Sequence, residues 1–198
     1  MAPLSRAELP VDTAALARFL IGKLLARELP EGAAIGRIVE TEAYVIGDAA
    51  GHAYGGMTPR NRSLFLERGH AYVYLAYGVS WMLNVSSETE GIGAGVLIRA
   101  LEPLEGIAIM QRNRRTERLR DLARGPGRLA QALRVDRSLD GLDLCRKGPL
   151  WLAHDDHAAG EGEIGESVRI GITPEADRAL RFYLRGSAFV SGARSLNQ

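Results

Sequence analysis

Four short segments rich in β-branched and aromatic residues most strongly limit what this chain can fold into. They span residues 35–45, 71–77, 81–86 and 95–101, and none contains proline. Such segments, bounded by glycine-containing turns, are typical of β-strands. Because the second and third are joined around Gly78, they are expected to form a hairpin. The sequence therefore predicts a mainly antiparallel sheet.

Helical patterns lie on both sides of these segments. Asp12 is in the position of an N-cap, and leucines recur at helical spacing after it, which predicts a helix reaching about Glu28. A second helix is expected after Pro103, with Leu104 on its apolar face. A third is expected to begin at Pro126, because proline suits the first position of a helix.

Three late segments, at residues 150–153, 167–172 and 180–184, are further strand candidates. A chain of 198 residues has the length of one compact domain. The sequence therefore predicts a single α/β (α+β) domain over residues 1–198, with a mixed, mainly antiparallel sheet flanked by helices.

Composition excludes several classes of protein. The chain has one cysteine, Cys145, so it holds no internal disulfide framework and no cysteine-based zinc cluster. No apolar run reaches the roughly 18 residues of a membrane span. The start of the chain also lacks a secretory pattern. We therefore expect a cytoplasmic protein without a membrane segment, associated with the nucleoid if its source is bacterial.

Charge is balanced overall but separated along the chain. There are 25 Lys and Arg residues against 24 Asp and Glu, and only Lys23 and Lys147 are lysines. Residues 112–137 contain nine Arg and three acids, whereas residues 155–166 contain five acids and no Lys or Arg. One interpretation is a solvated helix face and an acidic loop. The other is a one-sided surface for an anionic ligand, with nucleic acid as the candidate.

Five of the six tyrosines fall between residues 44 and 77, together with His52, His70, Arg60 and Arg62. Clustered tyrosines are usually core or interface residues. Aromatic rings interleaved with arginines also suit the stacking of nucleic-acid bases, which is worth about 1–3 kcal/mol per base. Composition leaves both interpretations open.

Two carboxylates precede this cluster. Glu40, Glu42 and Tyr44 are two residues apart, so in a strand they project from one face. They could form an acid/base pair like that of a glycosidase. They could equally be the solvated face of an edge strand, and spacing alone favours that interpretation.

A possible metal site is weakly supported. His154 and His157 lie beside Asp155 and Asp156, but an i, i+3 histidine pair in an acidic loop lacks a further ligand set. We interpret these residues as surface histidines.

Several short motifs follow one another in a fixed order. They are VETEAY at 39–44, HAY at 52–54, TPRNR at 58–62, YVYLAYG at 72–78, Asn84, LIRALEPLEG at 97–106, Gly125-Pro126 and LRFYLRGS at 180–187. In this order and spacing, the sequence resembles the alkyladenine (3-methyladenine) DNA glycosylase family over about residues 10–190.

The resemblance implies an activity. Members of such a family are monofunctional base-excision-repair enzymes that hydrolyse the N-glycosidic bond of alkylated or deaminated purines flipped out of double-stranded DNA, with no lyase step. It also implies that the protein needs neither a metal nor a cofactor. We expect a monomer that binds duplex DNA containing damaged purines.

The resemblance also implies roles for individual residues. They are Glu42 as the base that activates water, Arg99 completing the catalytic site, Tyr44, His52, Tyr74 and Asn84 as substrate-binding residues, Tyr77 as the intercalating wedge, and Arg60, Arg62 and Arg128 as DNA-binding residues. Arg99 has two open interpretations, a structural ion-pair partner on a strand or a direct contact to phosphate. Because Tyr74 and Tyr77 are three apart, the strand must end or bulge between them to send their rings in different directions.

Two other functions fit parts of the pattern. A damage-binding module without catalysis would keep the tyrosines and tolerate the loss of Glu42. A hydrolase of nucleosides or glycosides would need two carboxylates and no wedge.

Overall fold

The computed structural model describes residues 1–155 and 162–197. Its centre is an eight-stranded sheet, and every strand pairing in these ranges is antiparallel. The strands are β1 (Leu24–Leu29), β2 (Gly32–Tyr44), β3 (Ala71–Ala76), β4 (Ser80–Ser86), β5 (Gly95–Glu105), β6 (Leu150–Ala153), β7 (Ile164–Ser167) and β8 (Arg181–Leu184). Their order is β3-β4-β5-β2-β1-β6, and β8 pairs with both β2 and β7.

Short helices pack around this sheet. The α-helices are α1 (Thr13–Phe19), α2 (Ile107–Arg114) and α3 (Pro126–Ala132), and the 3-10 helices are Arg6–Glu8, Arg62–Phe65, Leu119–Asp121, Arg137–Leu139 and Arg194–Leu196. Asp12 caps α1, since its side chain accepts a hydrogen bond from the Ala15 N–H at 2.8 Å. In the described ranges, no helix is long and apolar enough to cross a membrane. The predicted α/β fold with its antiparallel sheet is confirmed.

The first predicted helix is too long. The helix ends at Phe19, and β1 begins at Leu24 after a turn in which Gly22 has a φ of +84°. Leu24 packs beside Trp151, whereas Leu25 belongs to the main core, so the two leucines point to opposite sides. Pairing with β2 and β6 therefore outweighs the helical spacing of these leucines.

Two other predicted boundaries are wrong. Strand β5 continues through Pro103 and Leu104 to Glu105, and α2 begins only after Gly106, whose φ is +67°. The strand expected at 167–172 lies earlier, at Ile164–Ser167. The hairpin and the strand that begins at Leu150 are confirmed, and the last strand runs from Arg181 rather than residue 180.

Strand β2 is the central strand and not an edge strand, so the interpretation of its carboxylates as a solvated face is wrong. It pairs with β5 on one side, and with β1 and then β8 on the other. Glu40 and Glu42 are completely buried. The spacing of β2 does not reveal this burial, because the covering residues come from segments more than one hundred positions later, around Ile170 and Ser191.

Candidate active site

A cavity of about 360 Å³ lies between the loop after β2 and the strands β3, β4 and β5. Its size suits a small flat molecule. The lining includes Tyr44, Asp48, His52, Tyr72, Tyr74, Tyr77, Asn84, Arg99 and Ile170. The structure thus brings the sequence-predicted pocket residues together, and it adds Tyr72, Asp48 and Ile170.

One wall of the cavity consists of aromatic rings. Tyr72 and Tyr74 are two apart on β3 and stack with ring centroids 5.4 Å apart and planes 26° apart. His52 meets the edge of Tyr74 at 4.4 Å between centroids, and its Nδ1 lies 2.9 Å from the Tyr72 hydroxyl. These rings form a rigid apolar surface on which a planar group can stack.

The groups of this wall are neutral near pH 7. Burial, with a smaller contribution from Arg60, lowers the pKa of His52. Burial, together with the nearby Tyr74, raises the pKa of Tyr72 to about 12. The pKa of Tyr74 is also raised by burial and by the negative charge of Glu42. A ligand stacked on this wall therefore meets uncharged rings.

Glu42 is completely buried behind the inner end of the cavity, where it is not itself a lining residue, and it is held by three donors. Its Oε1 accepts the Ile170 N–H at 2.7 Å. Its Oε2 accepts the Tyr44 hydroxyl at 3.1 Å and lies 3.0 Å from Arg99 Nη1. Burial, followed by the charge and hydrogen bond of Glu42, raises the pKa of Tyr44 above its ordinary range. All three donor residues line the cavity, so Glu42 is oriented from the cavity side.

Arg99 is an ion-pair partner on a strand, which is one of the two interpretations that the sequence left open. Its guanidinium contacts Glu40 at 2.8 Å and Glu42 at 3.0 Å, and only 6% of the residue is exposed. Burial lowers its pKa, but Glu42 and Glu40 more than offset this and raise it above the ordinary value. A guanidinium so fully engaged by two carboxylates is poorly placed for a phosphate.

A second buried ion pair fixes the opposite wall. Arg169 contacts both carboxylate oxygens of Asp48, and both side chains are completely buried. Its guanidinium also lies over the Tyr44 ring, 4.8 Å from the centroid, and donates to the Ala43 carbonyl at 3.0 Å. This pair holds the segment that carries the Ile170 N–H against the end of β2.

Asn84 lies on β4, opposite Tyr72 in the hairpin, and is buried. Its side-chain amide donates to the Tyr72 carbonyl at 3.2 Å, which fixes the plane of the amide. Because Asn84 also lines the cavity, a rigid polar group faces whatever occupies it.

The β3–β4 hairpin ends in an exposed aromatic ring. Tyr77 is 93% exposed and has a φ of +50°, and Gly78 follows with a φ of +71°. The Val79 N–H closes the turn on the Ala76 carbonyl at 3.0 Å, and the Val79 side chain is also exposed. Strand β3 ends at Ala76, so Tyr74 and Tyr77 point in different directions, as predicted.

The arginines predicted to contact DNA differ in their surroundings. Arg60 and Arg62 are exposed on the loop beside the aromatic wall. Arg128 is exposed on α3 but pairs with Asp121 at 3.0 Å. Within the basic run at 112–137, other arginines bind carbonyl groups of the protein itself, among them Arg114 (to Leu122), Arg120 (to Ala188) and Arg124 (to Val190).

Some residues at this site carried no separate signal in the sequence. Arg169, Asp48 and Ser191 belong to no motif that we singled out, whereas Tyr72 and Arg181 lie within quoted motifs without an assigned role. Elsewhere, His154 pairs with Glu8 at 2.9 Å. Asp155 pairs with Arg37 at 2.8 Å, and the remaining two members of the possible metal site, Asp156 and His157, lie outside the described residues.

The site combines a buried, oriented carboxylate at the end of a ring-lined cavity with a projecting aromatic side chain beside it. This combination defines a class of enzyme. Such an enzyme hydrolyses a bond to a flat ring that is presented by a larger molecule. Comparison with known proteins agrees with this class and makes it more specific.

Residues 7–188 match the methylpurine-DNA glycosylase family. A protein of Mesorhizobium japonicum, named "Putative 3-methyladenine DNA glycosylase", is 78% identical over 196 residues, which cover 99% of this chain and 93% of the relative. The human protein named DNA-3-methyladenine glycosylase is 43% identical over 191 residues, covering 89% of this chain and 63% of the human protein. The chain therefore belongs to the methylpurine-DNA glycosylase family, whose substrate is DNA. This confirms the resemblance inferred from the motifs.

Proposed function

We propose that this protein is a monofunctional base-excision-repair glycosylase that removes alkylated or deaminated purines from double-stranded DNA. The observation that carries the proposal is the position of Glu42, which three donors orient at the inner end of a cavity with an aromatic wall. Family membership supports the class of reaction, and the arrangement of side chains supports the roles given below.

The damaged nucleotide must leave the duplex before it can reach Glu42. Rotating it out costs a few kcal/mol of stacking and pairing energy. Tyr77 projects from a tight turn beside the cavity and would fill the space left in the helix. Because Tyr77 and Gly78 both have positive φ, the turn is compact and presents the ring on a rigid support.

The flipped purine would stack against Tyr44, His52 and Tyr74. N-alkylated purines such as 3-methyladenine carry positive charge, and the faces of aromatic rings attract cations by about 0.5–2 kcal/mol. The neutral state of His52 suits this role, because a protonated imidazole would repel such a base. Asn84 would test the edge of the base, either by hydrogen bonding or by collision with the 2-amino group of guanine.

Hydrolysis would begin when the C1′–N bond lengthens and the sugar gains positive charge. The ionised Glu42 carboxylate would stabilise this charge and take a proton from the attacking water. Arg99 would hold the Glu42 carboxylate in the required orientation. A charged purine is already a good leaving group, so one carboxylate suffices for alkylated bases, whereas a neutral deaminated base must gain a proton as it leaves.

The absence of a lyase step follows from the position of the lysines. A lyase needs an amine nucleophile at the reacting carbon. Lys23 lies over the Phe19 ring and Lys147 over the Trp151 ring, and neither lines the cavity. We therefore expect no strand cleavage and no covalent adduct after borohydride treatment.

The DNA backbone would be bound by Arg60, Arg62 and Arg128, which are exposed. One domain acting as a monomer in the cytoplasm, or on the nucleoid of a bacterium, would be sufficient for this function, because all the groups used belong to one chain.

The proposal is tested with a duplex that contains 7-methylguanine, by measuring free base released at neutral pH. Release that is lost in Glu42→Gln supports the glycosylase. Binding of the damaged duplex without release would instead identify a damage-binding module. Cleavage of free nucleosides alone would identify a nucleoside hydrolase, and either result would contradict the proposal.

A further inference from the structure

A second buried carboxylate lies next to Glu42, and the proposed reaction does not use it. Glu40 Oε1 accepts from Arg99 Nε at 2.8 Å, from Arg181 Nε at 2.7 Å and from the Ser191 hydroxyl at 2.9 Å. Its Oε2 accepts the Ser191 backbone N–H at 2.6 Å. Glu40, like Glu42, is completely buried, but of its donors only Arg99 lines the cavity, whereas all three donors of Glu42 do, so Glu40 lies farther from a substrate.

Arg99 connects this carboxylate to Glu42. Its Nε binds Glu40, while Nη1 of the same guanidinium contacts Glu42 at 3.0 Å. With Arg181, the group contains two carboxylates and two guanidiniums, so its charges balance. Burial opposes ionisation of Glu40, but Arg99 and Arg181 outweigh it and lower the pKa of Glu40. Glu40 therefore stays negative and shares the positive charge of Arg99 with Glu42.

We infer that Glu40 is a positioning residue that shares Arg99 with Glu42 and thereby preserves the strength of Glu42 as a base. This inference rests on the proposed function. The physical reason is that a guanidinium bound only to Glu42 would stabilise its ionised form more strongly and weaken it as a proton acceptor. Glu40 neutralises part of the positive charge of Arg99. Because Glu40 is itself negative, it also disfavours the ionised form of Glu42.

The C-terminal segment takes part in this arrangement. Arg181 donates to the Ser167 hydroxyl at 2.7 Å, to the Leu196 carbonyl at 3.0 Å and to the Asn197 side-chain oxygen at 2.7 Å. Ser191, Leu196 and Asn197 lie beyond residue 188, where the match to the family ends. Residues outside the matched region thus fix the partner of the proposed base.

Other groups that face Glu42 do not change when Glu40 is altered. They are the hydroxyl of Tyr44, the ring of Tyr74, and Arg169, whose charge is neutralised by Asp48. The pKa values of both tyrosines are raised, so neither gains a charge near neutral pH. His52 also lines the cavity and has a lowered pKa, but its ring contacts Tyr72 and Tyr74 rather than the group around Glu40, so we expect its contribution to be the same in every variant. A difference in pH dependence between the wild type and the Glu40 variant therefore reports on Arg99 and Glu42.

The test is the single-turnover rate of base release from a 7-methylguanine duplex, measured from about pH 4.5 to pH 8. In Glu40→Gln, Arg99 binds Glu42 alone, so the acidic limb of the profile moves to lower pH by about one unit. The plateau rate falls by about three- to tenfold, because the base is weaker. Affinity for the damaged duplex stays unchanged.

A second variant must shift the profile in the opposite direction. In Arg181→Gln, Arg99 is the remaining guanidinium that binds Glu40, so it shifts toward Glu40 and stabilises the ionised form of Glu42 less. The acidic limb therefore moves to higher pH. Both variants remove buried contacts, so a general loss of stability would affect both profiles in the same way. It cannot produce opposite shifts. Equal shifts in the same direction would overturn the inference.

Thr41→Val is the matched control. Thr41 lies between the two carboxylates but points to the other side of the sheet, where its hydroxyl donates to the Ala17 carbonyl at 2.8 Å. The variant should lower the melting temperature without moving the limb. If the charge variants do not fold, Ser191→Ala removes the hydroxyl that donates to Glu40 at 2.9 Å and accepts from Arg99 Nη2 at 3.4 Å, and it should move the limb slightly to higher pH.

The outcomes separate two failures. If the wild-type protein releases no base, the proposed function is wrong. If it does release base but the limb is unmoved in Glu40→Gln, or in Ser191→Ala where only that variant folds, the role of Glu40 is wrong and the proposed function stands.

Discussion

The inner and outer ends of the site are built in opposite ways. At the inner end, Glu42 is fully buried and bound by three donors from three different segments. At the outer end, Tyr77 is almost fully exposed, and its φ of +50° is unfavourable for a residue with a side chain. The inner end is stabilised by its contacts, whereas the outer end depends on the hairpin beneath it.

This difference separates chemistry from recognition. A base that must take a proton from water has to be held in one orientation, which requires several simultaneous contacts. A wedge must instead be free to enter DNA, so it can have few contacts within the protein. Substitutions at the inner end should therefore change the rate of the chemical step, and those at the outer end should change binding and flipping.

The largest expected effect is at the inner end. Glu42→Gln should lower the rate of base release by about 10³-fold or more, because the amide cannot accept a proton from water. Binding of the damaged duplex should survive, since the amide keeps the size of the side chain. Rapid-quench kinetics and a binding titration measure the two. Glu102→Gln, in the half-buried pair with Arg37, is the control and should leave both unchanged. Substantial turnover in Glu42→Gln would contradict the assignment.

The next effect is at the outer end and has two parts. Tyr77→Gly should lower base release by about 10- to 100-fold under subsaturating conditions, because the wedge is lost. It should also stabilise the free protein by about 0.5–1 kcal/mol, because glycine adopts a positive φ without strain. Denaturant unfolding and the excision assay test the two parts. Val79→Ala, on the same turn, should change neither stability nor excision as much; equal losses in both variants would remove the special role of Tyr77.

A smaller effect concerns the phosphates. Arg60→Gln and Arg62→Gln should each lower the slope of log affinity against log salt by about 0.9, the value for one phosphate contact. Arg124→Gln is a matched control from the basic run, because its guanidinium already binds the Val190 carbonyl. A slope that falls only in the control would place the phosphate surface on the basic run at 112–137 and not beside the cavity.

The smallest effect depends on pH. The pKa of His52 lies below its ordinary value of 6.5 in the folded protein, because burial and then Arg60 disfavour its charged form. The unfolded chain therefore takes up the proton first, and stability that is present above pH 6.5 is lost as the pH falls toward the lowered value. Because solvent reaches the His52 ring and screens its charge, His52→Gln should remove only a small part of the acid loss, well below about 1 kcal/mol. Unfolding free energies at pH 7.5 and 5.5 test this; an identical pH dependence in both proteins would contradict it.

The parts predictable from the sequence are those whose determinants are local. The β3–β4 hairpin was predictable, because Gly78 and the flanking strands are adjacent in the chain. The divergence of Tyr74 and Tyr77 followed from their spacing and is present in the structure. The motifs were sufficient to indicate the family, because their order covers most of the chain.

The parts that could not be predicted depend on distant segments. Spacing does not distinguish the roles of Glu40 and Glu42, because their hydrogen-bond partners come from distant segments. Arg181 and Ser191 bind Glu40, whereas the Ile170 N–H binds Glu42. The residues of β1 have a helical pattern, and only pairing with β2 and β6 makes them a strand. In both cases tertiary contacts, which no local pattern contains, decide the outcome.

The most direct measurement is a crystal structure of Glu42→Gln bound to a duplex with one methylated purine. We expect the damaged base inside the cavity, in contact with Tyr44, His52 and Tyr74, with its C1′ facing residue 42 and the Tyr77 ring in the vacated stack. A damaged base that remains stacked in the helix, with the cavity unoccupied in a fully bound complex, would contradict it.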